Sequence, residues 1–376
     1  MFFSPAANTS TGDKMKYGFV RTAAAAAAAA LFLTSAVYAA APENAARRAI
    51  LADGVSGRVL YEKSADERSL IASTTKIMTG LLICENCDLN AEFSIPAEAV
   101  GVEGSSLYLT QGEVCSVREL LYGMMLRSGN DAATALAIFC DGSIERFVAR
   151  MNMRARELGL WGTHFENPSG LDAQEHYSTA RDLAKLACAA MKNQTFHEVV
   201  STKSVTIGSR TMTNHNKLLW RYDGASGIKT GYTRAAGRVL VSCAERDGRR
   251  LIAVTIDDPD DWNDHAALLD YGFDAFEARK VAVAGQTLAQ LPVISGEQAS
   301  VELVAGDTLV LPLLPEETIE IRIFAPQMVF APVLAGQAGT AEVWCGGERL
   351  GEIPLYYRQP VAQVTAQGRF RRIFGG

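Results

Sequence analysis

Near residue 280 the hydrophobic period of this 376-residue chain changes, and that change decides how many cores it must build. From about Ala45 to Arg279 helical and strand patterns mix, whereas from Lys280 to Pro360 the text becomes short apolar alternations such as "VELVAGDTLVLPLL" and "TIEIRIFAP". Alternation of this kind buries one face of a strand, so the second part reads as a small β domain and the first as an α/β or α+β domain. A length well above the about 150 residues of an average domain agrees with two cores. The apolar share of 48% and the charged share of 21% are ordinary for a soluble globular protein.

The first 41 residues stand apart. Lys14, Lys16 and Arg21 precede an unbroken small and apolar run from Thr22 to Ala41 that ends in "SAVYAAAP". This is the grammar of a secretory signal peptide, with cleavage expected after Ala39 or Ala41. Because alanine drives membrane insertion weakly, cleavage is favoured over a retained anchor. "MKYGFVRT", starting at Met15, makes a better signal n-region than what precedes it, so Met15 is the expected natural start.

Charge and cysteine usage exclude several functions. A net charge of -6 and a pI near 5.5 offer nucleic acid no basic field to follow. Seven cysteines, at 84, 87, 115, 140, 188, 243 and 345, are scattered rather than spaced as a disulfide framework or a zinc site. Only "CENC", Cys84 to Cys87, resembles a redox motif, and it falls at the C-terminal end of a predicted helix, where no helix dipole lowers a thiol pKa. The reading for these cysteines is therefore core or incidental. The five histidines show no metal-ligand spacing and no glycine-rich phosphate loop is present, so no metal and no cofactor is expected.

Local signals place the elements of the first domain. "RRAILADGVSGRVLYEK" reads as two strands around a turn at 54 to 57. A helix starts near Ser73. Ser116 with Glu119 forms a capping box opening a second helix to about Leu126. After "RSGN", where Gly129 is expected to supply the unusual backbone, a third helix runs through "DAATALAIF". A further helix over 144 to 158 is stopped by Gly159, and Ser178 or Thr179 caps the next. "SGIKTGYT" and "GRVLVSCAERDGRRLIAVTI" read as strands, the second pair joined at Asp247-Gly248, with Lys229 expected at the end of its strand.

Chemistry enters with "IASTTKIMTG", residues 71 to 80. Ser73 and Lys76 lie three positions apart and so share a helix face. A serine hydroxyl needs a base to become a nucleophile, and a lysine can be that base only if burial and neighbouring positive charge keep it neutral. S-x-x-K alone means little, since about one is expected by chance in a chain of this length. Here "SGN" at 128 to 130 and "KTG" at 229 to 231 follow it in order, each on an element able to face a cleft.

These three motifs, together with "EGSSLYLTQGE", "LLYGMMLRSGNDAATALA", "NPSGLD" with "HYSTARDLA", "TNHNKLLW" and "GIKTGYT", resemble the low-molecular-mass penicillin-binding proteins, the serine-type D-alanyl-D-alanine carboxypeptidases. The resemblance covers about residues 48 to 275 closely and the β domain more loosely. It implies an α+β fold of the penicillin-binding and serine β-lactamase type, an antiparallel sheet flanked by helices with an all-helical lobe. Domain limits of 42–279 for the catalytic part, 280–362 for the β-rich part and 363–376 for a short basic tail follow.

Residue by residue, the resemblance implies Ser73 as the acylated nucleophile, Lys76 as its base and Ser128 as a proton relay toward the leaving amine. Asn130 would bind the substrate amide, Lys229 and Thr230 its terminal carboxylate, and Gly231 would let its backbone lie against the strand. The backbone N–H groups of Ser73 and Tyr232 would form the oxyanion hole, with His215 near the carboxylate. The implied partners are peptidoglycan stem peptides ending in D-Ala-D-Ala, and β-lactams as inhibitors, at the outer face of the cytoplasmic membrane. Phe370, Ile373 and Phe374 beside Arg369, Arg371 and Arg372 suggest loose contact with an anionic bilayer. Two rivals carry specific signs: a serine β-lactamase, for which Glu166 in "FENPSG" would be the deacylating carboxylate, and a catalytically idle peptidoglycan-binding or penicillin-sensing protein, for which a broken motif would be the sign.

Overall fold

The computed structural model describes residues 41–365. The expected signal segment, the Met15 start and the aromatic and basic residues of the tail lie outside that range.

Along the chain come β1 (Arg48–Asp53), β2 (Val59–Lys63), a 3-10 turn (Ala72–Thr75), α1 (Lys76–Asn86) and β3 (Glu92–Ser94). Next are β4 (Val114–Ser116), α2 (Val117–Arg127), α3 (Asn130–Asp141), α4 (Ile144–Glu157), α5 (Ala180–Ala190) and α6 (Gln194–Ser201). β5 (Ser204–Ile207), β6 (Arg210–Thr213), α7 (Leu218–Arg221), β7 (Ala225–Thr233), β8 (Gly237–Arg246), β9 (Arg249–Ile256) and α8 (Asp261–Ala275) complete this part. One five-stranded antiparallel sheet, in the order β2-β1-β9-β8-β7, organises it. β1 pairs with β9, so strands about two hundred residues apart in sequence close the sheet around the helices between them.

The period of two along β1 shows how the sheet serves two cores. Ile50 and Ala52 join Val239, Val241, Ile252 and Val254 against α1 to α3, while Ala49 and Leu51 join Leu251, Ala253, Leu268 and Leu269 on the α8 side. All six residues of β1 are buried, as a strand covered on both faces requires. Helix limits follow the side-chain chemistry. Ser116 Oγ accepts from the Glu119 N–H at 3.1 Å and Thr179 Oγ1 from the Asp182 N–H at 3.0 Å. The Glu119 carboxylate does not return to the Ser116 N–H as a full capping box would; it pairs instead with Arg210 at 2.7 Å. Gly159 takes φ +69° after α4, and Asp247 and Gly248 turn the chain between β8 and β9 with φ of 51° and 76°.

Two local expectations are corrected. Lys229 sits in the middle of β7 rather than at its end, because pairing with β8 continues to Thr233 opposite Gly237. In the "SGN" turn it is Ser128, not Gly129, that adopts the left-handed conformation, at φ +63°. Gly129 has φ −57°, and glycine is needed there for room, since a Cβ would lie 2.9 Å from Leu107 Cγ.

After α8 the regular elements of the described residues are all strands: β10 (Glu277–Ala282) pairs with β13 (Leu309–Leu313). β11 (Thr287–Ile294), β12 (Ser300–Ala305), β14 (Ile319–Phe324), β15 (Val329–Phe330), β16 (Gln337–Cys345) and β17 (Glu348–Tyr357) form a sheet in the order β14-β16-β17-β12-β11-β15. These strands enclose their own apolar core around Leu303, Leu311, Val343 and Leu355. Arg58, just before β2, joins the two parts by donating to the Pro312 carbonyl and the Glu317 carboxylate.

His265 on α8 is fully buried against the sheet, 2.6 Å from Ser242 Oγ and 3.0 Å from Thr255 Oγ1, and burial drops its pKa to about 3. The unfolded chain therefore takes up a proton here that the folded chain refuses. Stability from this group is full above the usual histidine pKa of about 6.5 and falls as pH drops toward 3. Between pH 7 and pH 4 the loss from His265 alone is expected to be about 3 kcal/mol. Urea titrations at the two pH values test it: His265→Asn should lose about that much less than the wild type, and equal losses would reject the assignment.

Candidate active site

Ser73 stands in the 3-10 turn that feeds directly into α1, whose first residue is Lys76. The turn is held from two sides by close backbone approach. Gly170, at φ +88°, faces it so tightly that a Cβ would lie 1.9 Å from the Ala72 carbonyl oxygen. Gly231 of β7 faces it from the other side, where a Cβ would lie 3.2 Å from the Ser73 nitrogen. The "KTG" glycine thus lets the strand reach the turn that carries Ser73.

The Lys76 side chain is completely buried. Its Nζ lies 3.0 Å from Ser73 Oγ and donates to Asn130 Oδ1 and to the Ser169 carbonyl, both at 2.6 Å. Among the described residues, no carboxylate touches it. Desolvation, and then the charge of Lys229, hold its pKa well below the ordinary lysine value, against an opposing pull from Asp131. As a neutral amine, Lys76 would keep two N–H bonds for the two carbonyl oxygens and turn its lone pair toward the Ser73 hydroxyl, so the site matches the form that can take a proton.

The three contacts of Lys76 are themselves positioned by buried polar networks. Asn130 opens α3, and its Nδ2 donates to the Glu103 carbonyl at 2.6 Å. Its neighbour Asp131 accepts from the Leu107 and Leu109 N–H groups and from Ser106 Oγ, which pins the "SSLYL" segment beside the site. Asn167 Oδ1 accepts from the N–H groups of Ser169, Gly170 and Leu171, shaping the loop that presents the Ser169 carbonyl. The His176 Nδ1 accepts from the Glu166 N–H, so Nε2 carries the ring proton and donates to Thr75 Oγ1 at 2.8 Å. Burial, with His164 and Lys76 nearby, keeps that ring neutral, with a pKa of about 4.

Across the cleft, Lys229 is also buried, and its Nζ donates to Ser128 Oγ at 3.1 Å and to the Thr230 carbonyl at 2.9 Å. Desolvation lowers its pKa to about 7. Ser128 is thereby the residue in contact with the second lysine. A cleft of about 500 Å³ is lined by Ser73, Ser105, Ser128, His215, Thr230, Gly231, Tyr232, Arg238, Asp261 and Trp262. Tyr232 is 69% exposed at its mouth. His215 stands at the wall, its pKa lowered by partial burial and by Arg127 and Lys229.

Sequence reading missed Arg238, Asp261 and Trp262. Arg238 opens β8 opposite Tyr232, pairs with Asp261 at 2.5 Å, and lies 5.8 Å from the Trp262 ring centre. Motif spacing could not find it, because it reaches the cleft through strand pairing and through α8. Glu166 is exposed and accepts from the Glu175 N–H at 2.8 Å; it is neither a hydrogen-bond partner of Lys76 nor part of the cleft lining. Cys84, the first thiol of "CENC", is pushed up to about 12 by burial and Glu85, which leaves it a poor nucleophile.

A cleft-facing serine beside a buried lysine at a helix start, faced by a second serine–lysine pair from a helix end and a sheet strand, defines a serine acyl-transfer enzyme of the penicillin-binding type. Residues 35–260 match the family model described as D-alanyl-D-alanine carboxypeptidase, and 276–363 match that of the penicillin-binding protein 5 C-terminal domain. The chain is 35% identical over 347 residues to the D-alanyl-D-alanine carboxypeptidase DacF of Bacillus subtilis, with 88% of this chain and 89% of that protein covered. It is 33% identical to DacC of Escherichia coli, with 88% and 87% covered. The crystal structure of penicillin binding protein 5 from Haemophilus influenzae superposes with a TM-score of 0.76 at 28% identity, over 86% of this chain and 99% of that one. The chain belongs to the D-alanyl-D-alanine carboxypeptidase family.

Proposed function

We propose that this protein removes the terminal D-alanine from peptidoglycan stem pentapeptides through an acyl-enzyme on Ser73, and that β-lactams inhibit it by acylating the same serine. The observation that carries this reading is the fully buried Lys76, with its amine 3.0 Å from Ser73 Oγ and no carboxylate in contact. In this reading Ser73 Oγ attacks the penultimate carbonyl while Lys76 takes its proton. The Ser73 and Tyr232 N–H groups receive the oxyanion. Ser128, in contact with Lys229, passes a proton to the departing D-alanine amine, and water then cleaves the ester. A β-lactam's leaving group stays tethered and blocks that water.

Asn130 keeps a second amide N–H for the substrate besides orienting Lys76. Thr230 and His215 stand where the terminal carboxylate would lie, with Lys229 supplying positive charge from behind Ser128. Arg238, the cation on the cleft surface itself, is a natural second anchor for the carboxylate, since Asp261 engages only part of its guanidinium fork. Arg238→Ala is expected to raise KM by about 10-fold and to change kcat by much less. An unchanged KM in steady-state D-alanine release would remove Arg238 from the site.

Against the β-lactamase reading, Glu166 is exposed, engaged by the Glu175 N–H and not part of the cleft lining. The export and extracytoplasmic location read from the N-terminus, the division near residue 280 and weak membrane contact through the tail belong to the same proposal. Among the described residues, no helix is long and apolar enough to cross a membrane. The direct test is release of D-alanine from an acyl-D-Ala-D-Ala peptide by the purified protein. Absence of release together with stable penicillin labelling would favour the idle sensor.

A further inference from the structure

The cysteine that sequence spacing paired with Cys84 has a different neighbour. Cys87 caps the end of α1, its N–H bonded to the Ile83 carbonyl at 3.0 Å, and its thiol neighbours that of Cys140 in the last turn of α3. Surrounding contacts hold this juxtaposition independently. Arg150 grips Asp141, next to Cys140, at 2.8 Å and reaches Asn86, next to Cys87, at 3.5 Å. Phe139 stacks on Phe93 with ring centres 4.5 Å apart. Both thiols are only partly buried, so a small reagent can approach them.

We propose that Cys87 and Cys140 are a disulfide site that staples the far ends of the two helices carrying Lys76 and Asn130. α1 and α3 begin with those two residues, which touch at 2.6 Å, and end with the two cysteines. The helices therefore meet at both ends, by the catalytic contact at one and by the thiols at the other. A bond there closes a loop of about 50 residues, long enough to restrict the unfolded chain substantially. The oxidant is a small or protein disulfide. The Cys140 thiolate attacks one of its sulfurs, forms a mixed disulfide and expels a thiolate. Cys87, after losing its proton, attacks Cys140 Sγ and expels the second thiolate. Two thiols lose two electrons and two protons, and the reagent becomes two thiols. Acceptance of the Cys87 hydrogen bond holds the Cys140 thiol below its ordinary pKa, which favours Cys140 as the first attacker.

The test equilibrates the purified full chain with oxidised glutathione, alkylates the remaining thiols under denaturing conditions and maps the peptides. A Cys87–Cys140 linked peptide is expected as the main product. The oxidised wild type should also melt roughly 5–10 °C above its dithiothreitol-reduced form. The Cys87→Ser/Cys140→Ser variant should show no such difference between the two conditions. Alkyl or glutathione label on both cysteines, a bond to Cys84 instead, or a melting shift that persists in the variant would overturn the proposal.

Discussion

Ser73→Ala is expected to lower D-alanine release from an acyl-D-Ala-D-Ala peptide by at least about 10⁴-fold and to abolish covalent penicillin labelling, with the protein still folded. The hydroxyl is partly exposed in the cleft and has Lys76 Nζ 3.0 Å away, so its removal deletes the acylated atom while the turn, set by Gly170 and Gly231, keeps its shape. Intact mass after penicillin treatment reads the second effect directly. The wild type should gain one adduct and the variant none. Undiminished release by the variant would mean that the wrong serine, or a contaminating enzyme, does the chemistry.

Loss of the base should be nearly as severe. Lys76→Met keeps much of the length and burial of the side chain but offers no basic atom, and is expected to slow both peptide hydrolysis and penicillin acylation by about 10³ to 10⁴-fold. Both should fall by a similar factor, because one base serves both attacks. The pH profile carries an independent sign. In the proposed mechanism Lys76 acts as the neutral amine, so kcat/KM should rise as pH passes upward through its depressed pKa. Lys229, with its pKa near 7, loses charge above that value in the free enzyme, so kcat/KM for a carboxylate-bearing peptide should decline on the alkaline side. A bound carboxylate restabilises the Lys229 ammonium, so kcat should hold to higher pH than kcat/KM does. A Lys76→Met variant that labels at the wild-type rate would transfer the base role elsewhere.

Much of this protein is local in origin and was legible as such. Caps at Ser116 and Thr179, the stop at Gly159, the Asp247-Gly248 hairpin and the alternation beyond residue 280 depend on neighbours a few positions away, and each could be read before any fold was known. The three motifs were legible for a related reason: an acyl-transfer site needs a few residue types at set intervals on a helix start, a helix end and a strand. Local reasoning failed where the backbone answered to distant packing. Local reading expects the unusual backbone at Gly129, whereas Ser128 takes it and the glycine answers to the close approach of Leu107, more than twenty residues earlier. Lys229 was put at a strand end because the continuation of β7 depends on β8.

From the sequence alone came the element types, the change of period that separates two cores, and the identity and order of Ser73, Lys76, Ser128, Asn130 and Lys229. Tertiary structure alone decided that Lys76 is sealed from water and lacks a carboxylate, which is what makes a lysine a base. It also brought Arg238 into the cleft, left Glu166 exposed outside the cleft lining, and set Cys87 beside Cys140. The physical reason is common to all of these. Spacing along a chain sets which side chains share a helix face or a strand face, but desolvation and the pairing of charges and thiols depend on what the closed sheet and packed helices bring from far along the chain.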